Sequence, residues 1–189
     1  MKTEVLSPTA ENIQKISNEI KAGNIGALPT ETVYGLAGDA KNEQSILNIY
    51  QTKERPSFDP LIIHTLYDSN KSAKQVLSQL CNKELIQLND FNPKAIETTE
   101  KLITEFWPGP LTLILPKGNA VSDLITSGLE TVAIRMPQHP VFQEVLKQSQ
   151  CEICAPSANR FGRISPTSSN HVLTELNGRI SWILDGGDC

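Results

Sequence analysis

The sequence WPGPLTLIL, residues 107–115, changes abruptly from a helix-breaking segment to a fully apolar one. Two prolines flanking a glycine cannot continue a helix, because proline lacks a backbone N–H and its ring clashes with the preceding turn. The LTLIL run that follows is interpreted as a short, fully apolar strand. The stretch therefore predicts that a helical region ends near Trp107 and that an apolar strand begins at Leu111.

Similar apolar runs lie on both sides of this stretch, and helix-period patterns alternate with them. The further strand candidates are Ile25–Leu28, Leu61–Leu66, VAIRM (132–136), ICAPS (153–157) and ISWIL (180–184). The predicted helices are one opening with Ser7 as N-cap and Pro8 at its first position, one around residues 46–50, helical patterns over 69–105 interrupted at Asn92-Pro93, and helices near 140–149 and 169–177. Strands interleaved with helices predict an α/β or α+β fold with a twisted, partly parallel sheet. One domain over residues 1–189 accounts for the whole pattern.

Composition limits the functional classes. A chain of 189 residues with 39% apolar content can bury one good core, and its net charge of -4 gives no overall basic surface of the kind that duplex-binding proteins carry. No apolar run approaches the ~20 residues needed to span a bilayer, and the N-terminus has no basic segment followed by a hydrophobic one. We expect a cytoplasmic protein without a membrane segment, whose contacts with nucleic acid are local.

The four cysteines are too few and too scattered to predict a disulfide framework. Cys151 and Cys154 form a C-x-x-C, which could be half of a zinc site or a redox pair, but no second pair accompanies it. We expect these two residues to be small buried side chains in a strand, and we predict no metal site built by the protein.

Polar residues are concentrated in four segments next to predicted strands. They are PTETVYGL (29–36), KERPSFDP (53–60), TVAIRMP (131–137) and APSANRFGRISPT (155–167). A rigid sheet can direct polar groups from such loops into one cleft. The first segment, read alone, could equally be a capped turn.

The second segment carries Lys53 and Arg55 at the end of a predicted helix. Such a pair could simply be solvated charges that complement the helix dipole. Alternatively, a proline-bounded loop could hold the guanidinium near a strand, and lysine with arginine is a combination that neutralises a polyphosphate. His64 ends the next strand, where an isolated histidine is more often structural than catalytic.

The third segment places Arg135 in an otherwise apolar strand. Burying an unpaired charge costs several kcal/mol, so Arg135 must either pair with a carboxylate of the protein or face a cleft that holds an anion. Side chains alternate along a strand, so Thr131, Ala133 and Arg135 share one face. A hydroxyl and a guanidinium can then reach the same ligand.

The fourth segment contains small residues that allow a ligand to approach backbone N–H groups, and Arg160 and Arg163 add local positive charge. It could also be a surface loop that leads to a helix cap at Ser168 or Ser169. The chain has no Walker A, G-x-G-x-x-G, H-E-x-x-H or G-x-S-x-G motif. The four segments together favour an acidic ligand such as a nucleotide.

Five segments in this order resemble the YrdC-like family of L-threonylcarbamoyladenylate synthases. They are PTETVYGL, K-x-RPxxxPLIxH, FWPGPLTLIL, SGLETVAIRMPxHP and APSANRFGRISPT, and the resemblance runs from about residue 24 to the last residue. It implies a single YrdC-like domain in which a twisted mixed α/β sheet surrounds a large concave cavity lined by basic groups.

The resemblance also implies a nucleotidyltransferase reaction. L-threonine, bicarbonate and ATP would give threonylcarbamoyl-AMP, pyrophosphate and water, with Mg²⁺ held mainly by the phosphates. A separate transferase complex would then move the threonylcarbamoyl group to N6 of an adenosine in tRNA. Any contact of this chain with tRNA is expected to be weak.

Carried over position by position, the resemblance implies two groups of site residues. The ATP group is Lys53, Arg55, Asp59, Thr131, Ser157, Asn159 and Ser165, with Lys53 and Arg55 in the catalytic role. The L-threonine group is Thr32, His64, Arg135 and the backbone of Ala155. Asp59 stands where the family commonly has asparagine, so that a carboxylate would face an anionic ligand unless a metal or Arg55 offsets it.

Two other functions are compatible with the sequence. Relatives of this domain have been regarded as modules that bind double-stranded RNA, and related domains of hydrogenase-maturation proteins make a carbamoyl-adenylate. The acidic net charge argues against the first, and the second needs modules for which this chain lacks room. The chain ends at Cys189, where many relatives continue through an E-S-T-V segment, which predicts either a short form or a truncated chain.

Overall fold

The computed structural model describes residues 2–56, 59–89 and 91–189, and within these ranges eight strands form one mixed sheet flanked by seven helices. The elements in chain order are β1 (Glu4–Leu6), α1 (Ala10–Lys21), β2 (Gly26–Pro29), β3 (Tyr34–Asp39), α2 (Glu43–Lys53), β4 (Ile62–His64), α3 (Ala73–Asn82), α4 (Pro93–Phe106), β5 (Thr112–Pro116), α5 (Asp123–Thr126), β6 (Thr131–Arg135), α6 (Pro140–Ser149), β7 (Ile153–Cys154), α7 (Ser169–Leu176) and β8 (Trp182–Leu184). The strand order across the sheet is β1-β8-β2-β3-β7-β4-β6-β5.

The sheet is partly parallel, as the sequence predicted. Strand β8 pairs in parallel with β1 and β2, and β4 pairs in parallel with β6. The other neighbours are antiparallel, including β7, which joins β3 to β4 at the centre of the sheet. The predicted mixed α/β class is confirmed.

Most predicted elements are present. The strands that were missed depend on backbone hydrogen bonds to residues distant in the sequence, and one helix start was misplaced. Strands β1 and β3 are absent from the predicted elements, and the YGLAGD sequence of β3 contains two glycines and no β-branched residue. The first helix begins at Ala10 rather than at Pro8. Its N-cap is Thr9, whose hydroxyl accepts from the Asn12 N–H at 3.2 Å, so the predicted Ser7 cap is wrong.

The WPGP segment ends helix α4 as predicted. Trp107 is buried, and its indole N–H donates to the Leu111 carbonyl at 2.8 Å, which ties the turn to the start of β5. Leu113 and Leu115 face the core, but Ile114 is 70% exposed. The strand is therefore buried on one face and open on the other.

Two helices cover part of one face of the sheet. Helices α1 and α6 pack there against β8, β2, β3 and β7, and the shared core includes Ile16, Ile20, Phe142, Val145, Leu28, Ala37, Ile153 and Trp182. The opposite face carries α2, α3, α4 and α7, packed against residues such as Leu36, Ile63, Leu115, Val132, Ile134 and Ile183. Strands β4, β6 and β5 are thus covered on one face, while their other face lies beyond α1 and α6.

The cysteines of the C-x-x-C differ in environment. Cys154 is fully buried and burial raises the pKa of its thiol to about 12, while Cys151 is only partly buried. Buried thiols with a raised pKa are unreactive, so the interpretation as a small buried side chain is confirmed for Cys154. No helix among the described residues is long and apolar enough to cross a membrane.

Gly26 is a close-packing position, since a Cβ added there would lie 2.3 Å from the ring of buried Trp182. We predict that Gly26→Ala lowers the free energy of unfolding by about 2 kcal/mol, because a rigid indole in the core must move to make room. Urea denaturation monitored by circular dichroism measures this change. An unchanged midpoint and slope would contradict the packing described here.

Candidate functional site

The uncovered sheet face carries most of the polar residues that the sequence analysis selected. Residues opposite each other on neighbouring strands share a face, and the registers pair Ile62 with Ala133 and His64 with Arg135, while Ile114 is opposite Ala133. Thr131 lies on the same face of β6. Strands β4, β6 and β5 therefore present one open surface with His64 and Arg135 at one end and Thr131 at the other.

Arg135 is buried and is paired with a carboxylate of the protein. Its Nη2 atom donates to Glu31 Oε1 at 2.7 Å and to Thr32 Oγ1 at 3.0 Å, and the residue is 8% exposed. The other carboxylate oxygen of Glu31 accepts from the Gln138 N–H at 3.0 Å. Of the two alternatives for Arg135, the pairing with a protein carboxylate is the one observed.

The Glu31–Arg135 pair leaves part of the guanidinium unused. Arg135 Nε is buried and has no hydrogen-bond partner among the described residues, and the same holds for His64 Nδ1 and Thr65 Oγ1. Buried polar groups in native proteins are normally hydrogen-bonded, and exceptions need an explanation. Unpartnered atoms at the adjacent ends of β4 and β6 are consistent with a site for a polar ligand.

His64 is neutral under ordinary conditions. Burial, and next the charge of Arg135, lower the pKa of His64 to about 3. Its ring centroid lies 5.1 Å from that of Phe142 on α6, so the imidazole lies at the boundary between the part of the sheet that α6 covers and the part that it does not. A neutral imidazole can offer a donor and an acceptor, but no charge, to a ligand.

Lys53 is not a solvated charge, so that alternative is wrong for this residue. It is 1% exposed, and its ammonium donates to the carbonyl oxygens of Ser157 and of Asn159, the latter at 2.5 Å. The Phe161 N–H in turn donates to the Lys53 carbonyl at 2.8 Å. The end of α2 and the loop after β7 are therefore held together through Lys53.

The environment of Lys53 affects its protonation. Burial, followed by the positive charge of Arg55, lowers the pKa of Lys53 to about 8, whereas the two carbonyl acceptors favour the charged form. The ammonium is thus available close to neutral pH. It lies at the same end of the site as Arg55.

Arg55 folds back onto the segment that leads into β4. Its Nη2 donates to Asp59 Oδ1 at 2.9 Å and to the Pro60 carbonyl at 3.0 Å, and its Nε donates to the Asp59 carbonyl at 3.1 Å. The side chain is 14% exposed and that of Asp59 is 35% exposed. Arg55 therefore offsets the negative charge of Asp59, which is one of the two possibilities for this residue, the other being a metal ion.

The loop after β7 has a defined shape because Asn159 organises it. This residue is 3% exposed, and its side-chain amide donates to the carbonyls of Arg160 at 2.9 Å and Arg163 at 2.8 Å. Its Oδ1 atom is buried and has no partner among the described residues. Helix α7 begins beyond the loop with Ser168 as N-cap, which confirms one of the two predicted caps.

Three further predicted residues, Ala155, Thr131 and Ser165, lie outside the Arg135 and Lys53 hydrogen-bond networks described above. The Ala155 N–H already donates to the Ile62 carbonyl at 3.1 Å, which leaves the Ala155 carbonyl as its ligand-binding group. Thr131 and Ser165 are exposed. Ser165 precedes Pro166, whose carbonyl accepts from the Tyr34 N–H at 2.8 Å, and it lines a surface cavity of about 620 Å³ with Arg163 and His171.

The two predicted groups of residues lie mainly toward opposite ends of strands β4 and β6. Lys53, Arg55 and Asp59 lie where β4 begins, and Thr131 begins the neighbouring β6, whereas Arg135 ends it. Thr131 and Arg135 are four positions apart along β6. Extended chain rises roughly 3.3 Å per residue, so their Cα atoms lie about 13 Å apart. A ligand with a polyphosphate at one end and a carboxylate at the other fits this separation.

Sequence reasoning missed two residues of the PTETVYGL segment that organise the site. Glu31 supplies the partner of Arg135. Tyr34 is fully buried, and its hydroxyl donates to the Gly187 carbonyl at 2.7 Å and accepts from the Gly186 N–H at 3.2 Å. A carboxylate in the same segment as Thr32 was the available signal for Glu31; nothing in the local sequence connects Tyr34 to residues more than 150 positions away.

Comparison with known proteins places the chain in a family. Residues 18–189 match the Sua5/YciO/YrdC family model, which carries the description "Telomere recombination". The chain belongs to this family.

Two of its relatives are threonylcarbamoyl-AMP synthases. The chain is 42% identical to that of Bacillus subtilis strain 168, over 98% of this chain and 49% of the relative, and 41% identical to that of Pyrococcus abyssi, over 89% of this chain and 45% of the relative. A crystal structure of P. abyssi Sua5 complexed with L-threonine superposes with a TM-score of 0.85 at 38% identity, covering 98% of this chain and 51% of that one. The chain thus spans about half the length of these relatives.

The pKa of His64 predicts how stability depends on pH. The folded-state value of about 3 lies below the ordinary value of 6.5, so the unfolded chain binds a proton between these values while the folded chain does not. Stability is therefore lost as pH falls from 6.5 toward 3, by at most about 1.4 kcal/mol per pH unit from this residue. Urea denaturation across this pH window measures the free energy of unfolding, which should change less with pH in His64→Asn than in the unmodified protein. An equal pH dependence in the two proteins would contradict the neutral buried state of His64.

Proposed function

We propose that this chain forms threonylcarbamoyl-AMP from L-threonine, bicarbonate and ATP, as an enzyme of the nucleotidyltransferase type. The observation that carries the proposal is the arrangement of cationic groups toward the two ends of strands β4 and β6, with Arg135 at the end of β6, Lys53 at the end of α2 and Arg55 in the segment that precedes β4. The names of the B. subtilis and P. abyssi relatives support the same reaction.

The amino acid would bind at the Arg135 end. Arg135 Nε is a buried donor without a partner among the described residues, which suits the carboxylate of L-threonine. Thr32 and His64 lie at this end and would offer neutral polar contacts to the hydroxyl and amino groups. The Ala155 carbonyl would reach the amino acid from the start of β4, where the Ala155 N–H donates to the Ile62 carbonyl. The P. abyssi Sua5 structure complexed with L-threonine supports the choice of amino acid.

The nucleotide would bind at the Lys53 end. Lys53 and Arg55 supply positive charge for the triphosphate, and Ser157, Asn159 and Ser165 belong to the loop that Lys53 holds in place. Thr131 is exposed at the start of β6 and would contact the nucleotide. Asp59 would lie near the phosphates with its charge offset by Arg55.

The chemistry follows from this placement. Bicarbonate takes up a proton and loses water to give carbon dioxide. The amine of threonine attacks the carbon of carbon dioxide and releases a proton, which gives a carbamate. A carbamate oxygen then attacks the α-phosphorus of ATP as the bond to pyrophosphate breaks. Lys53 and Arg55 would stabilise the charge that develops on the phosphoryl oxygens and on the leaving group. Positioning and electrostatics supply most of the acceleration, since the reaction needs no covalent enzyme intermediate.

Mg²⁺ would be held mainly by the phosphates of ATP. Within the described ranges, no group of three or more histidine, cysteine, aspartate or glutamate side chains is arranged to hold a metal ion. Mg²⁺ commonly keeps several waters and binds through substrate phosphates with few protein ligands, so these residues fit that mode. The ion would supply additional charge neutralisation for the triphosphate.

Residues 1–189 would act as a single YrdC-like domain whose product passes to a separate transferase that modifies tRNA. A net charge of -4 fits weak tRNA contact at most. Binding of tRNA without ATP, measured over a salt titration, separates this proposal from an RNA-binding module. Strong, ATP-independent binding with no threonine-dependent turnover would favour the module.

We predict that Arg55→Ala reduces threonine-dependent pyrophosphate release at least 100-fold, because loss of one donor to developing charge commonly costs about 10²–10³ in rate. Lys53→Ala should lose at least as much activity, and it should also loosen the loop at Ser157 and Asn159. The measurement follows pyrophosphate and the adenylate product with ATP, bicarbonate and L-threonine.

Lys15→Ala is the matched control, since Lys15 lies on α1 in an exposed ion pair with Glu4. Its activity should equal that of the unmodified protein. Full pyrophosphate release by Arg55→Ala and Lys53→Ala would overturn the assignment of these residues to the triphosphate.

We predict that Asp59→Asn tightens ATP binding about 3- to 10-fold. The substitution removes the carboxylate that holds Arg55 Nη2 and frees the guanidinium for the phosphates; the expected gain is modest because Asp59 is partly exposed. Calorimetric titration with ATP measures the change. Asp68→Asn, at an exposed pair with Lys71, serves as control, and weaker binding by Asp59→Asn would contradict the prediction.

A further inference from the structure

We propose that Glu31 is a positioning residue that fixes the Arg135 guanidinium in the orientation needed to bind the carboxylate of the amino-acid substrate. The inference rests on the proposed function and adds a residue to the site that it defines. Glu31 follows β2, whereas Arg135 ends β6, so the two are brought together only by the fold.

The hydrogen bonds of Glu31 restrict its position. One carboxylate oxygen accepts from Arg135 Nη2 at 2.7 Å, and the other accepts from the Gln138 N–H at 3.0 Å. Both donors belong to β6 or to the residues just after it. The carboxylate is therefore held on two sides and cannot rotate without breaking one of these bonds.

The ion pair uses one part of the guanidinium and leaves another free for a ligand. A guanidinium has five N–H groups, two of them on Nη2. Glu31 and Thr32 together accept both Nη2 hydrogens. The Nε–H is then a buried donor without a partner among the described residues, and His64 Nδ1, on the residue that the register pairs with Arg135, is likewise unpartnered.

The charge of Glu31 also keeps Arg135 in place before substrate arrives. Arg135 is 8% exposed, and an unpaired buried cation costs several kcal/mol. Burial alone would raise the pKa of Glu31, but the hydrogen bond and charge of Arg135 bring that pKa below its usual value. The carboxylate is therefore ionised at neutral pH, and the pair is a salt bridge in the ligand-free site.

The test compares Glu31→Gln, which keeps the shape and removes the charge, with Glu31→Asp, which keeps the charge and shortens the reach. We expect Glu31→Gln to raise the Kd and KM for L-threonine about tenfold, since a charge-assisted bond is weakened. The Kd for ATP should stay within twofold and kcat should change less than KM. Glu31→Asp should restore part of the threonine affinity.

Glu152→Gln is the control for a purely structural effect. Glu152 is 5% exposed and pairs with Lys83 at 2.6 Å and Lys41 at 3.6 Å, whereas Arg135 pairs with Glu31. This variant should lower the thermal midpoint while leaving the KM for L-threonine unchanged. A fall in stability alone therefore does not reproduce the effect expected for Glu31.

The outcomes are distinct. Unchanged or tighter threonine binding by a folded Glu31→Gln variant would overturn the positioning role while leaving the proposed function intact. If Glu31→Gln fails to fold, the same measurement on Glu31→Asp decides, and unmodified affinity there overturns the role. Absence of threonine binding by the unmodified protein would overturn the proposed function itself, and this inference with it.

Discussion

The incomplete covering of one sheet face is the constraint on which the rest of this structure depends. Helices α1 and α6 bury the side of the sheet formed by β8, β2, β3 and β7, and Phe142 in the first turn of α6 contacts His64 at the edge of the covered area. Beyond this boundary the same face of β4, β6 and β5 carries Ile114, which is 70% exposed. A strand that is buried on one face and open on the other can hold a core with one set of residues and a ligand with the alternate set.

Burial of charge is the second organising feature, and the buried cations Arg135 and Lys53 are stabilised in different ways. Arg135 is neutralised by a carboxylate 104 positions away in the sequence, whereas Lys53 is held by backbone carbonyls of the loop after β7. The first arrangement balances charge before a ligand binds. The second surrounds the ammonium with neutral acceptors that do not cancel its charge, while burial and next the charge of Arg55 lower the pKa of Lys53. A positive group at that end favours an anion.

The loop after β7 shows how structure and site are linked. Its backbone carbonyls bind Lys53, the Phe161 N–H binds the end of α2, and the Tyr34 backbone binds Ala158 and Pro166 on either side. These contacts place the small residues of the loop beside the basic pair without a glycine-rich phosphate-binding motif. The candidate nucleotide end of this chain is therefore formed by tertiary contacts between α2, β3 and the loop.

The sequence by itself determined the alternation of strands and helices, the break at Trp107 and the segments that carry the polar residues, because these depend on periodicity and on backbone chemistry within a few positions. It also limited Arg135 to two kinds of partner. Only the tertiary structure decided that the partner is Glu31, that Lys53 is buried rather than solvated, and that β3 is a central strand despite its glycines. These outcomes depend on which strands lie side by side and on which face the helices cover, and such long-range pairings leave no local pattern to recognise.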